Sequence, residues 1–382
     1  MSSHTLQLIS SHRAASFAAA DRVDVAAGKL AVRTRRLAGG GRDGVLLVEL
    51  VAGTTKVFVL PDRGLGIWKI MADGCELGWQ SPVHGPAHPR FVPLGEPSGI
   101  GWLDGFDELV ARCGLVSNGA PDFDPSGRLR HPLHGRIANL PAHHLDVTLD
   151  EAAGTITLTG AVDETRFLVH ALRLTTSLTL HADRPRVAWT DTVKNLSDRP
   201  ATMQLLYHTN FGPPLLGPGA ELVAAIEELA PRDAAAAPDA ASWNRYAGPR
   251  AGKGEQVHFA RVRPDARGMA TALLVGPDHH NAAAFSWKAD TLPCFTLWKN
   301  EGGLADGYVT GLEPGTNYPN ARSFEESQGR VVPLAPGASI RFDLAIEHLH
   351  GEAIAAERGR IAALAGAPPT VHANPKSGWS AV

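Results

Sequence analysis

Three short segments each set an ionisable side chain among turn-forming residues. They are PLHGR at 132–136, LLYHTNFG at 205–212 and GLEPGTNYP at 311–319. They contribute His134, His208 and Glu313. Histidine titrates near neutrality and can give or take a proton. A carboxylate in a cleft can act as a general base when its surroundings tune its pKa. Brought together, the three would form an acid–base set. Taken singly, each has an ordinary structural explanation: a loop glutamate, or a histidine bonded to backbone. Around them, Arg136 offers a fixed fork of donors for hydroxyls or a carboxylate. Asn210 follows His208 by two positions and could contact a polyol. Trp79, Trp102, Phe211, Trp298 and Tyr318 could each stack on the C–H face of a sugar, though packing explains any one of them. Lys299, Asn300 and Glu301 in WKNEGG, with Asp104 and Asp306, are further polar candidates.

Other chemistries find less support. His131, His134, His143 and His144 are close in sequence, but no standard zinc spacing is present. Cys75, Cys113 and Cys294 are widely separated and contain no CxxC pair, so neither a disulfide framework nor a structural zinc site is expected. There is no phosphate-loop lysine motif, no dinucleotide fingerprint and no GxSxG elbow. No cofactor or metal is required by any motif. With 36 basic and 39 acidic residues the net charge is -3, and no basic stripe marks a nucleic-acid partner. No apolar run reaches membrane-spanning length. The N-terminus lacks a secretory pattern, which suggests a cytoplasmic location. The oligomeric state is not legible.

The elements that must position these residues read as strands. Leu145, Val147 and Leu149 alternate with polar residues, as do Leu172, Leu174, Leu178 and Leu180, and Ile340, Phe342, Leu344 and Ile346. This period of two marks strands with one face on a core. VLLVELV at 45–51, TKVFVLP at 55–61 and LGIWKIM at 65–71 are further strands. The 40 glycines and 28 prolines suit many turns. DGFDELVARC at 104–113 reads as a short helix and 353–366 as a C-terminal helix. The stretch 231–254 reads as a flexible insertion, and the tail from Ala367 as loosely packed. The segment 78–143 is loop-rich, which in a compact protein points to a functional surface. The expected fold is all-β: a large two-sheet antiparallel β-sandwich in one domain at 25–348. An N-terminal extension at 1–24 precedes it, and a helix and tail at 349–382 follow.

In the order PLHG, LLYHTNFG, GLEPGTNYP the chain resembles the aldose 1-epimerase, or galactose mutarotase-like, superfamily, and within it a divergent bacterial aldose-epimerase-like branch. The resemblance covers most of 25–348. It implies the supersandwich fold with a sugar-binding cleft, His134 as a ligand-positioning residue, His208 as general acid and Glu313 as general base. With the residue readings above, the expected substrate contacts are His134, Arg136, Asn210, Trp298, Lys299 and Asp306. The resemblance implies ring opening and closure of a free aldose or sugar acid without a cofactor. CGLVSNG stands where the family carries an arginine motif, which leaves the sugar open. Epimerase, isomerase or lyase chemistry at another sugar carbon, and carbohydrate binding without turnover, remain alternatives.

Overall fold

A computed structural model describes residues 3–12, 15–17 and 22–381. Two large sheets face each other. Among the described residues, one has ten strands, in the order Glu221–Ala224, Met269–Val275, Asn281–Lys288, Ser339–His350, Arg184–Asn195, His170–His181, Thr155–Arg166, His144–Asp150, Ser3–His12, Ala15–Phe17. The other has fourteen. Its central run is Gln256–Val262, Cys294–Asn300, Val309–Gly315, Ala201–Phe211, Val110–Leu115, Gly66–Ala72. Among the described strands pairing is antiparallel, except where Thr370–Val371 joins Ile226–Pro231 in parallel. The expected all-β sandwich is the observed architecture.

The alternating segments form the sandwich for the anticipated reason. His144–Asp150 alternates half-buried and buried residues along its length, and Leu145, Val147 and Leu149 point into the core. The strands at 46–52, 55–60 and 66–72 lie within a residue of where sequence placed them. One main core runs between the sheets. It also encloses an ion pair. Arg112 of the larger sheet donates to both oxygens of Asp191 in the smaller, at 2.5 and 3.1 Å. Tyr207 Oη and Thr176 Oγ1 donate to the same carboxylate at 2.9 and 2.6 Å. Four donors satisfy a fully buried charge, so it need not be desolvated without compensation.

Four local expectations are corrected. The stretch 104–113 is no α-helix: a 3-10 turn ends at Gly105 and the strand Val110–Leu115 follows, buried on both faces. Residues 231–254 are irregular but packed. Trp243 and Tyr246 are buried, and Tyr246 Oη bonds Thr310 Oγ1 at 2.8 Å. The tail is anchored by Trp379, which is buried 5.0 Å from Tyr318 and whose carbonyl accepts from Asn320. At the other end, Ser3–His12 pairs with His144–Asp150, so that part of the expected N-terminal extension is a strand of the sheet. Residues 1, 2, 13, 14 and 18–21 lie outside the described residues. The helix Glu352–Ala365 packs Ile354 and Ile361 against the outer side of the smaller sheet.

Candidate active site

Adjacent residues of a strand face opposite ways. In Ala201–Phe211, Tyr207 enters the sandwich core, so His208 emerges on the far face of the larger sheet. A second apolar cluster lies there: Trp79, Trp102, Phe106, Ala111, Cys113, Leu206 and Val309, with Leu133 and Trp298 packed on it. The loop-rich segment after residue 78 builds this cover. Its anchor is Arg63, fully buried, which pairs with Glu108 and donates to Gly105 O at 2.7 Å, Ala87 O at 3.1 Å and Asn139 Oδ1 at 2.9 Å. The loops are thereby tied to the turn between the strands Thr55–Leu60 and Gly66–Ala72, and Trp102 and Phe106 are held over His208.

Beneath the cover is a cavity of about 230 Å³. Its floor comes from neighbouring strands. Thr209 opposite Leu312 and Leu206 opposite Gly315 set a register in which His208 faces Glu313. Thr296 lies opposite Glu313 on the other side. His208 Nε2 and Glu313 Oε1 are 3.2 Å apart, and both residues are almost wholly buried. Oε1 nonetheless forms no directed hydrogen bond, and neither does Thr296 Oγ1 or Trp102 Nε1. The cavity wall thus presents buried polar atoms without partners, which is uncommon in a folded interior. Glu313 has room because residue 311 is glycine: a Cβ there would overlap Oε1 and lie 3.2 Å from Cε3 of Trp298.

His134 reaches the cavity from the PLHG turn, where His134 and Gly135 both take positive φ, 56° and 71°. Glycine is obligatory at 135, since a Cβ would strike Ser117 and Gly114 carbonyl oxygens. His134 Nδ1 donates to Asn118 O at 2.9 Å, leaving Nε2 as an acceptor. Its ring lies 4.6 Å from Trp102 and 5.2 Å from His208. Trp298, 5.3 Å from His208, completes an aromatic wall and donates Nε1–H to Glu255 Oε2 at 2.8 Å.

Burial governs the protonation states. It pushes His134 down to about 4, so that ring is neutral at physiological pH. It lowers His208 well below the usual histidine value, helped by His134. It raises Glu313 well above the usual carboxylate value, helped by Glu255 and opposed by Arg232. Burial thus disfavours charge on both partners, shifting Glu313 toward the carboxylic acid and His208 toward the neutral imidazole. Burial also raises the Cys113 thiol, which leaves it un-ionised.

The structure brings together His134, His208, Glu313 and Trp298. Four other expected contacts lie elsewhere. Asn210 is fully buried behind His208 and does not line the cavity. Arg136 is exposed, because the positive-φ turn at Gly135 carries the chain out of the site. Lys299 sits on the opposite strand face from Trp298 and donates to Arg245 O at 2.5 Å. Asp306 is exposed on a 3-10 turn. Sequence reasoning missed Thr296, Arg232 and Glu255. Arg232 donates to Asp233 at 2.9 Å and to Glu255 at 3.1 Å, and this ion-paired group borders the cavity. Alternation from Trp298 back to Thr296 was the available signal for the threonine. Among the described residues, no three His, Cys, Asp or Glu side chains are grouped to hold a metal ion, and no helix is long and apolar enough to cross a membrane.

A family described as a domain of unknown function, DUF4432, matches residues 42–348. The chain belongs to that family. A Klebsiella pneumoniae protein provisionally named an aldose 1-epimerase is 30% identical to this DUF4432 chain, with a TM-score of 0.91, covering 97% of this chain and 98% of its own. A galactose mutarotase-like protein from Clostridium acetobutylicum has a TM-score of 0.58 at 14% identity, covering 85% of this chain and all of its own. An Escherichia coli K12 protein, also provisionally named an aldose 1-epimerase, gives 0.54 at 16%, covering 81% and 100%. At those lower identities the likeness is one of fold. That fold is the galactose mutarotase-like β-sandwich. Among curated proteins none matches the chain.

Proposed function

We propose that the protein interconverts the anomers of a free aldose by opening and reclosing the sugar ring. One observation carries this reading: the acid–base pair His208–Glu313, 3.2 Å apart on the cavity floor. A hemiacetal bears its hydroxyl and its ring oxygen on the same carbon. Two proton-transfer groups standing side by side can therefore reach both oxygens at once. Glu313 takes the proton of the C1 hydroxyl, the C1–ring-oxygen bond breaks, and protonated His208 delivers its proton to the ring oxygen. C1 becomes an aldehyde. After rotation about C1–C2 the reverse transfers close the ring on the other face and restore both groups.

A second assignment exchanges the roles, in the direction in which burial shifts both groups. Glu313 then starts as the acid serving the ring oxygen and neutral His208 Nε2 takes the hydroxyl proton. Both assignments carry the same single proton, so both require the pair and give the same pH dependence. His134 Nε2 would accept from a sugar hydroxyl, and the aromatic wall would cover C–H faces. The charges bordering the cavity are already paired in Arg232–Glu255, which favours a neutral aldose over a sugar acid.

The test is anomeric exchange followed by NMR across a panel of neutral aldoses and sugar acids. Glu313→Gln keeps the shape and removes the exchangeable acid, and we expect a loss of about 10²–10⁴-fold. Full activity in that variant on the true substrate would refute the assignment. A product altered at a carbon other than C1 would redirect it to another sugar isomerisation, and tight binding without exchange would make the site a receptor.

A further inference from the structure

We propose that Asn210 is the positioning residue that fixes the tautomer of His208 and makes Nε2 its proton-exchanging atom, an inference resting on the reaction proposed above. The argument is one of hydrogen-bond accounting. Asn210 Nδ2 donates to two backbone carbonyls, Glu108 O at 3.0 Å and His208 O at 3.1 Å. Those acceptors fix which end of the amide is nitrogen. Oδ1 must then be the atom 2.6 Å from His208 Nδ1. An amide oxygen only accepts, so Nδ1 bears the hydrogen. In the neutral ring Nε2 is left with a lone pair, and Nε2 is the nitrogen beside Glu313. An unconstrained imidazole samples both tautomers, and in the other one Nε2–H could not accept a proton from the pair or the sugar.

The amide is itself held. Asn210 N donates to Leu109 O at 2.6 Å, and Glu108, whose carbonyl receives the side chain, is paired with buried Arg63. Asn210 therefore acts through His208 and does not itself line the cavity. Its function is distinct from the polyol contact its sequence position suggested. The ionisable groups that face or border the His208 ring are Glu313 on the next strand, His134 on the PLHG turn and the Cys113 thiol on the strand at Val110–Leu115, with Glu255 and Arg232 bordering the same cavity.

Two-bond ¹H–¹⁵N spectra of histidine-labelled protein read the tautomer directly, with His208→Gln identifying the resonance. The expected wild-type pattern near pH 7 is a protonated Nδ1 and an unprotonated Nε2. A protonated Nε2, or an exchange average between tautomers, overturns the proposal without any variant. In Asn210→Ala the ring should average both tautomers, and kcat should fall by about 10²-fold with KM little changed. The acid limb of the rate profile should move to lower pH, because the imidazolium loses its acceptor. A variant that keeps the wild-type tautomer and pH limb overturns the assigned role. The tautomer is observed without substrate, so a protein with Nδ1–H fixed but no exchange on any aldose sinks the reaction and leaves the tautomer assignment standing.

Discussion

Gly311→Ala tests whether the placement of Glu313, beyond its presence, matters. The added methyl would overlap Oε1 and lie 3.2 Å from both Glu313 Cδ and Trp298 Cε3. Residue 311 sits in a regular strand, without positive φ, so the backbone accepts alanine. The side chains must therefore give way. Recovering normal contact requires the carboxylate to move by roughly 1 Å. A displacement of that size in a reacting group costs on the order of 10²-fold in rate. Overpacking of the same kind costs about 1–3 kcal/mol of stability, so the variant should fold. Saturation-transfer NMR between the two anomeric resonances measures the rate, and urea unfolding measures the stability. Gly359→Ala is the control: it lies in the helix Glu352–Ala365 with nothing within 4 Å. It should stabilise by about 0.5–1 kcal/mol and leave exchange unchanged. A Gly311→Ala protein that is measurably overpacked yet exchanges anomers at the wild-type rate would refute the idea that this carboxylate reacts.

Two further outcomes are expected. Arg63→Ala leaves Glu108 buried and unpaired and frees three acceptors beneath the cavity cover, so urea unfolding should show a loss of about 3–5 kcal/mol; a loss under about 1 kcal/mol would mean the loops are held by other contacts. Asp107 is pushed up to about 7 by burial and by Glu108, and Glu164 to about 7 by burial, from ordinary values of 3.8 and 4.5. Both bind protons when folded that the unfolded chain has already released, so their contribution is largest below about pH 4 and is lost as pH rises through 7. Asp107→Asn and Glu164→Gln should each flatten the decline in urea midpoint between pH 5 and 7.5, and an unaltered slope would contradict the shifted values.

Much of the fold was legible because each strand carries its own signal. Leu145, Val147 and Leu149 declare their face without reference to the rest of the chain. His134, His208 and Glu313 were legible by residue type, but only His134 stands on a turn: His208 and Glu313 lie buried within strands. What failed has a common cause. Arg232 and Glu255 are 23 positions apart and become partners only through strand pairing, so no local pattern marks them. Lys299 was chosen beside Trp298 on polarity alone, although alternation sends neighbouring strand residues to opposite faces. Arg136 was expected with His134 because nothing in the letters LHGR reveals the two successive positive-φ residues that turn the chain away. Asn210 lay in the right segment, but its function depends on two carbonyl partners that sequence does not encode.

His208 and Glu313 stand on two adjacent strands of one hydrogen-bonded ladder, while Trp102, Phe106, Leu133 and His134 stand on turns and loops. Heredity can therefore edit the two halves of the site separately. Insertions, deletions and exchanges in the loops redraw the outline of the guest, yet the distance between the proton carriers is set by strand spacing and survives them. A lineage built this way can reshape what the cavity admits while the spacing of His208 and Glu313 stays fixed by the strands.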